Sequence, residues 1–369
     1  MKNQILIGLL LMLPFAAFSQ SSAITNAALY LKDKQLDKAA EIINSAISNE
    51  KTINNPKTWY YRGLIYQSLI GSDSAAWASL RKDAESEAYT SYLKAIELDS
   101  ENGEYAKLSA RNLAALYPAF VNKGYNEYNA LQFETALKSF ESAMKIEPSD
   151  TTAYIYASFA AEQLSRYDLI KEYVEKLDQL GYKNVQTWVY KINIAANLDN
   201  KPEEALALSK QALTENPGNL SLLQEQTNLY ITQGKVPEAI SNLQTMIQLS
   251  PANVEYTAML ASLYDQSGEK DKALEYYNKS LDLNPSHFLS MYNSAIIYYD
   301  EGKKLDVLIH QMPLNEYQSK GKEKETEEKA VFQKSLDRAN KALLLATEAS
   351  DRENIKLLIE QINKVLTNK

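Results

Sequence analysis

Between residues 218 and 299 the apolar and polar positions repeat with a period of 34. Tyr230, Tyr264 and Tyr298 are one period apart, and Ala239 and Ala273 keep the same step. Within a period the apolar residues sit three and four apart, as in Leu260, Ala261 and Tyr264 or Ala273 and Tyr277, the spacing of one face of a helix. Each period therefore predicts two helices. The first carries an apolar–small–aromatic set, and a turn follows, with Gly234 or Gly268 in two copies. The second carries a small residue, a bulky one and another small one. Pro217, Pro251 and Pro285 close the second helix, because proline has no N–H to donate and its ring clashes with the preceding turn. The small slot is a packing requirement: antiparallel helices approach to about 8–10 Å only where the contacting side chains are small.

The same frame extends upstream. LQFETALKSFESAMKIEP offers Ala136, Phe140, Ala143 and Pro148, and NKPEEALALSKQALTENP offers Ala205, Ala212 and Pro217. Residues 150–183 keep the frame less well, with Ile170 and Val174 in the small and bulky slots. Two units are interrupted. KTWYYRGLIY has Trp59, Gly63 and Tyr66, but its small slot comes late, at Ala88, with Tyr92 and Ala95 after it. The insertion there, near 67–87, predicts a long second helix capped by Asp73, with Trp77, Leu80, Ala84 and Ala88 on one stripe. In the unit from Phe288, an insertion near 303–330 precedes Ala339 and Ala342; Met312-Pro313-Leu314-Asn315 predicts a break and a cap, then a long helix. A first unit lies at 22–50, with Tyr30, Ala39, Ile43 and Ala46, and DRENIKLLIEQINKVL predicts an amphipathic closing helix. The expectation is an all-α array of eight helix pairs with a C-terminal cap.

This pattern resembles the tetratricopeptide repeat, a 34-residue helix–turn–helix unit. The resemblance implies a right-handed solenoid over residues 20–369, with first helices lining a concave groove. Residues one past the aromatic–small core positions would point into it: Tyr60, Tyr125, Tyr128, Phe159, Tyr190, Asn197, Gln224 and Asn228. That wall is aromatic in the early units and turns to amides later. Tetratricopeptide domains that hold acidic chaperone tails carry lysine, arginine and asparagine there, whereas units three to seven here place no lysine or arginine at those positions. A peptide or protein partner is implied instead, since tyrosine supplies contact area at small entropic cost and amides pair with an extended backbone.

The ends and the composition narrow the function. Residues 1–19, MKNQILIGLLLMLPFAAFS, join a short positive end to a nine-residue apolar run, Ile5–Leu13, and small residues before Gln20. That is the pattern of a secretory signal peptide, with a periplasmic or secreted chain expected after cleavage. Pro14 interrupts the run well short of the ~20 residues that span a bilayer, so no integral membrane span is expected in the mature chain. The FSQ ending resembles secreted proteins of the Bacteroidetes. There is no cysteine, which removes a disulfide framework and an acylated lipoprotein cysteine. The net charge of −8 becomes −9 once Lys2 leaves, which argues against nucleic acid. His287 and His310 have no ligand-spaced partners, so no metal is expected, and phosphate-cradling or nucleophile motifs are absent from the sequence. No cofactor is expected. The mixed-charge run SKGKEKETEEK at 319–329 predicts a solvated helix face. The reading is a non-enzymatic protein-binding scaffold of the cell envelope; the alternatives are an envelope chaperone or assembly accessory and, further off, an enzyme on a helical-repeat frame.

Overall fold

Helix pairs form at each of the small slots. The computed structural model describes residues 20–367, and among these residues there is no strand. The signal-peptide expectation falls on residues outside that range. The chain divides after Lys183 into two compact units, Met1–Lys183 and Asn184–Lys369.

In the first unit the pairs are α1 (Gln20–Lys32) with α2 (Leu36–Ala46) and α3 (Pro56–Leu69) with α4 (Ala84–Leu98). An extra helix α5 (Glu104–Ala114) follows, and then α6 (Tyr117–Asn129) with α7 (Phe133–Ile146) and α8 (Thr151–Gln163) with α9 (Tyr167–Gln179). In the second unit they are α10 (Val185–Asn193) with α11 (Pro202–Glu215), α12 (Leu220–Thr232) with α13 (Val236–Leu249), and α14 (Val254–Gln266) with α15 (Lys270–Leu283). The 23-residue α16 (Phe288–His310) pairs with α17 (Lys322–Leu345), and α18 (Ala349–Thr367) closes the unit against both.

The small slots do what the spacing requires. Ala136, Ala205, Ala239 and Ala273 are completely buried, and the larger neighbours Phe140, Leu243 and Tyr277 fill the volume beside them. Where the first helix offers only glycine, an aromatic of the second takes its space: a Cβ on Gly124 would lie 2.6 Å from Phe140, and one on Gly302 2.9 Å from Phe332. In the 150–183 pair, Ile170 and Val174 are buried as well, so bulk is accommodated at that slot.

Local backbone chemistry sets the period. Side chains of Asp150, Asn184, Asn219, Asn253 and His287 each accept a hydrogen bond from a first-turn amide of the helix that follows. The turns inside the pairs end on a left-handed residue: Leu131, Ser165, Asn200, Gly234 and Gly268, with φ between 52° and 79°. Counted along the chain, every step in the two series is 34 residues except Asn184 to Asn219 and Ser165 to Asn200, which are 35. The extra residue therefore lies between Asn184 and Asn200. It is absorbed by a π-helical turn at Ile194–Leu198, closed by Asp199 N–H donating to the Ile194 carbonyl at 2.9 Å.

A left-handed leucine is unfavourable, because its Cβ crowds the following carbonyl; glycine avoids this cost of about 1–2 kcal/mol. Leu131 is also 75% exposed, so little packing is lost on its removal. Leu131→Gly is expected to raise stability by up to about 1 kcal/mol after the flexibility of glycine in the unfolded chain is deducted. A urea midpoint that stays put or falls in the glycine variant would contradict this.

Two features depart from the sequence reading. The 67–87 insertion is not a helix extension. The chain leaves α3 at Ile70 and passes left-handed Gly71, and only a short 3-10 turn (Ala75–Trp77) and a single turn (Ala78–Arg81) precede α4. Asp73 caps nothing there; Arg81 instead donates to the Ser72 carbonyl and ties the irregular segment down. Helix α5, which has no counterpart in the repeat, packs on α3 and α4. The 303–330 insertion does extend helices: α16 runs three turns past the repeat, breaks at Gln311–Pro313, and Leu314–Leu345 continues as helix through a π turn at Tyr317–Gly321.

Candidate protein-interaction faces

Successive first helices touch within each unit, α1 with α3 and α6 with α8 in one, α10 with α12 in the other. Each keeps one stripe uncovered. In the Met1–Lys183 unit that stripe is aromatic. Tyr125 on α6 is 46% exposed, and its ring meets Tyr156 of α8 edge-on at 5.7 Å. Tyr156 stacks on Phe140 at 5.7 Å and meets Phe159 at 6.1 Å. The row thus has a fixed back, Phe140, and an open front, Tyr125 with half-buried Tyr156 and Phe159. Tyr60 on α3 belongs to a separate set, with Tyr61, Tyr92 and Tyr105 at 5.3, 6.5 and 5.5 Å. Burial, and then the neighbouring Tyr61, push the Tyr60 hydroxyl up in pKa, so it stays a neutral donor. Tyr128 turns toward the pair's own turn and packs edge-on against Phe133 at 5.3 Å.

In the Asn184–Lys369 unit the uncovered stripe is polar. Ser221, Gln224, Glu225 and Asn228 follow one another at i, i+3, i+4 and i+7 on α12, while Leu222, Leu223, Gln226 and Thr227 are buried on its other side. Ser221, Gln224 and Asn228 are exposed. Glu225 is half-buried and accepts a hydrogen bond from Asn193 of α10; desolvation raises its carboxyl pKa, and the Asn193 bond offsets part of this. Asn197, in the π turn, is exposed.

Tyr190 is a correction. It is only 6% exposed and belongs to the packed interior of its pair. Counting back from Ala205 puts it in the groove, but the π turn adds a residue between that slot and the helix start. Matched from the cap side, Thr187 and Trp188 correspond to Thr58 and Trp59, so Val189 is the counterpart of Tyr60. Tyr156, Tyr105 and Glu225 were not among the expected groove residues. Tyr156 is legible after the fact, three residues before Phe159 on the same helical face. Nothing in the repeat pattern marks Tyr105, because α5 lies outside it.

The two histidines are structural or solvent-facing. His287 caps α16 through Nδ1, hydrogen-bonds Ser290 Oγ at 2.8 Å and reaches Glu255 through Nε2 at 3.2 Å; His310 is exposed in the last turn of α16. Among the described residues no cluster of His, Asp and Glu could hold a metal ion, and no helix is long and apolar enough to cross a membrane.

Residues 230–293 match the tetratricopeptide repeat family model. With the 34-residue pairs, their caps and their small slots in place, residues 230–293 are tetratricopeptide repeats, and the pairs on either side follow the same helix–turn–helix pattern. Similar solved structures include YrrB, described as a TPR protein with an unusual peptide-binding site (22% identity over 55% of this chain and 96% of that one, TM-score 0.42). Another is MamA from Desulfovibrio magneticus RS-1 (17% identity, 47% and 96% covered, TM-score 0.42). A third is PilW, described as a widely conserved type IV pilus biogenesis factor (12% identity, 65% and 98% covered, TM-score 0.48). No curated protein matches the chain in sequence.

Proposed function

We propose that this protein is a non-enzymatic scaffold of the cell envelope that holds a peptide or protein partner on the open faces of its first helices. The observation that carries the reading is the pair of uncovered stripes: the aromatic row Tyr125, Tyr156 and Phe159 on one unit, and the amide row Gln224 and Asn228 on the other. Half-exposed aromatics on a rigid backing offer contact area that is already ordered, so little rotamer freedom is lost on binding. The exposed amides of Gln224 and Asn228 supply donor and acceptor together, which matches an extended backbone. Envelope residence is part of the proposal and rests on the amino-terminal pattern of residues 1–19.

The aromatic row gives the test. Tyr125→Ala with Phe159→Ala is expected to weaken capture of an envelope partner by at least about 30-fold, as truncation of anchors at an interface costs ~2 kcal/mol or more. Helical circular dichroism should remain near wild type, because Tyr125 projects outward and Phe159 is only half-buried. Undiminished capture by the folded double variant would remove the first-helix face from consideration.

A further inference from the structure

In the Asn184–Lys369 unit, α12, α14 and the first fifteen residues of α16 (288–302) contain no lysine, arginine or histidine. They contain five carboxylates: Glu225, Glu255, Asp265, Asp300 and Glu301. The remaining first helix, α10, has one lysine, Lys191, which lies over the Trp188 ring at 4.7 Å; Lys235, Lys272 and Lys279 sit on turns and second helices, and Lys303 and Lys304 in the extension of α16. Two of the five acids are already engaged. Asp265 pairs with Lys270 at 2.5 Å, and Glu255 contacts His287 at 3.2 Å. Asp300 and Glu301 are exposed to water. Glu225 differs from all four: it is half-buried between two first helices, and its bonding partner is the neutral amide of Asn193, not a cation.

From this distribution we infer that the first-helix face of the Asn184–Lys369 unit takes an extended peptide segment rich in lysine or arginine. Glu225 is the counter-ion for one of its cations, and Gln224 and Asn228 hold its backbone. The inference rests on the scaffold reading above and names the chemistry of the partner. An acidic segment is disfavoured because α12, α14 and the start of α16 offer it carboxylates and no lysine or arginine of their own; like charges brought together at an interface weaken the wrong complex. A neutral segment would leave Glu225 partly desolvated with no charge to compensate it. A cation placed there compensates it, and the upward pKa shift from burial is reduced in the complex. Half-burial makes Glu225 more effective than the exposed acids, since a partly buried charge is less screened by salt.

The experiment uses the full chain and three fluorescent twelve-residue probes, alternating Lys–Ser, Gln–Ser and Glu–Ser, read by anisotropy at about 50 and 300 mM salt. The lysine probe is expected to bind best and to lose affinity at the higher salt. Glu225→Gln, which keeps shape and hydrogen bonding, is expected to weaken the lysine probe about fivefold or more. Glu275→Gln, which removes an exposed acid on second helix α15, should leave it unchanged. Asn228→Ala should weaken any probe held by its backbone. Failure of the lysine probe to bind, or equal losses in Glu225→Gln and Glu275→Gln, overturns the inference. If the Gln–Ser probe binds as well as the lysine probe, is blind to Glu225→Gln and is weakened by Asn228→Ala, the cationic preference is wrong while the scaffold reading stands. If no probe responds to Asn228→Ala, both fall for this unit.

Discussion

Ala273→Leu is expected to cost the Asn184–Lys369 unit about 3 kcal/mol, at the upper end of what overpacking produces. Ala273 is completely buried and sits in one apolar cluster with Leu260, Ala261, Tyr264 and Tyr277, two of them rigid rings with no space to yield. The added isobutyl group must push α14 and α15 apart along their whole contact, since both helices are held at their ends by the Gly268 turn and the Asn253 cap. Ala239→Leu, in the same cluster one repeat earlier, should behave alike. Because repeat arrays couple each unit mainly to its neighbours, the loss is expected as an earlier, separate melting step and not as a uniform shift. Differential scanning calorimetry decides it; superimposable melts for wild type and both variants would mean that the small slot is assigned to the wrong residues.

Arg62→Ala should be the second large effect, in the other unit. The guanidinium is 7% exposed and uses its whole fork. Nε donates to Asn44 Oδ1 at 3.0 Å, one Nη donates to Ser91 Oγ at 2.7 Å and the other to Glu87 Oε2 at 2.5 Å, while the plane lies 4.7 Å from the centre of the Tyr66 ring. These partners come from α2, α3 and α4, so one side chain joins the first pair to the second. Removing it strands the Asn44 and Ser91 acceptors and opens a void. Breaking a fully buried pair costs about 3–5 kcal/mol; with the Glu87 side chain 38% exposed and able to rehydrate, about 2–3 kcal/mol is expected. Arg62→Lys should recover less than half, because an ammonium cannot reproduce three diverging donors on a planar fork. Urea denaturation with midpoints within a few tenths of a molar of wild type for both variants would show that the network contributes little.

The pair architecture was legible because its determinants, a small residue facing a large one and the glycines and prolines that punctuate the helices, are single-residue requirements that recur in sequence. Ala239 and Ala273 announce themselves by spacing alone. The 70–83 segment was not legible for the opposite reason. Trp77, Leu80, Ala84 and Ala88 keep helical spacing, yet the chain between Gly71 and Ser74 is set by the left-handed glycine and by Arg81 reaching the Ser72 carbonyl, a contact with no periodic signature. Helix α5 is held by packing on α3 and α4 and not by a partner helix of its own, so the repeat frame passes over it. For the interaction face, Tyr125, Phe159, Gln224 and Asn228 came directly from the frame; Tyr125, Gln224 and Asn228 are exposed and Phe159 is partly buried, whereas Tyr190 was misplaced by a single residue at the π turn. Such a turn leaves the hydrophobic pattern on either side intact and changes only the count between them. Glu225 escaped because carboxylates are common on helix surfaces; only its half-burial beside Asn193 distinguishes it.

The central claim is that first helices, not second helices or the long α16–α17 extension, carry the partner. Photo-cross-linking from single positions tests it most directly. A benzophenone side chain placed at Tyr125 or Asn228 samples the two first-helix stripes; at Lys138 or Glu275 it samples exposed second-helix surface; at Tyr317 it samples the extension. The account predicts partner adducts from Tyr125, Asn228 or both, and none above background from Lys138, Glu275 and Tyr317. Adducts confined to the second-helix positions or to Tyr317 would contradict it.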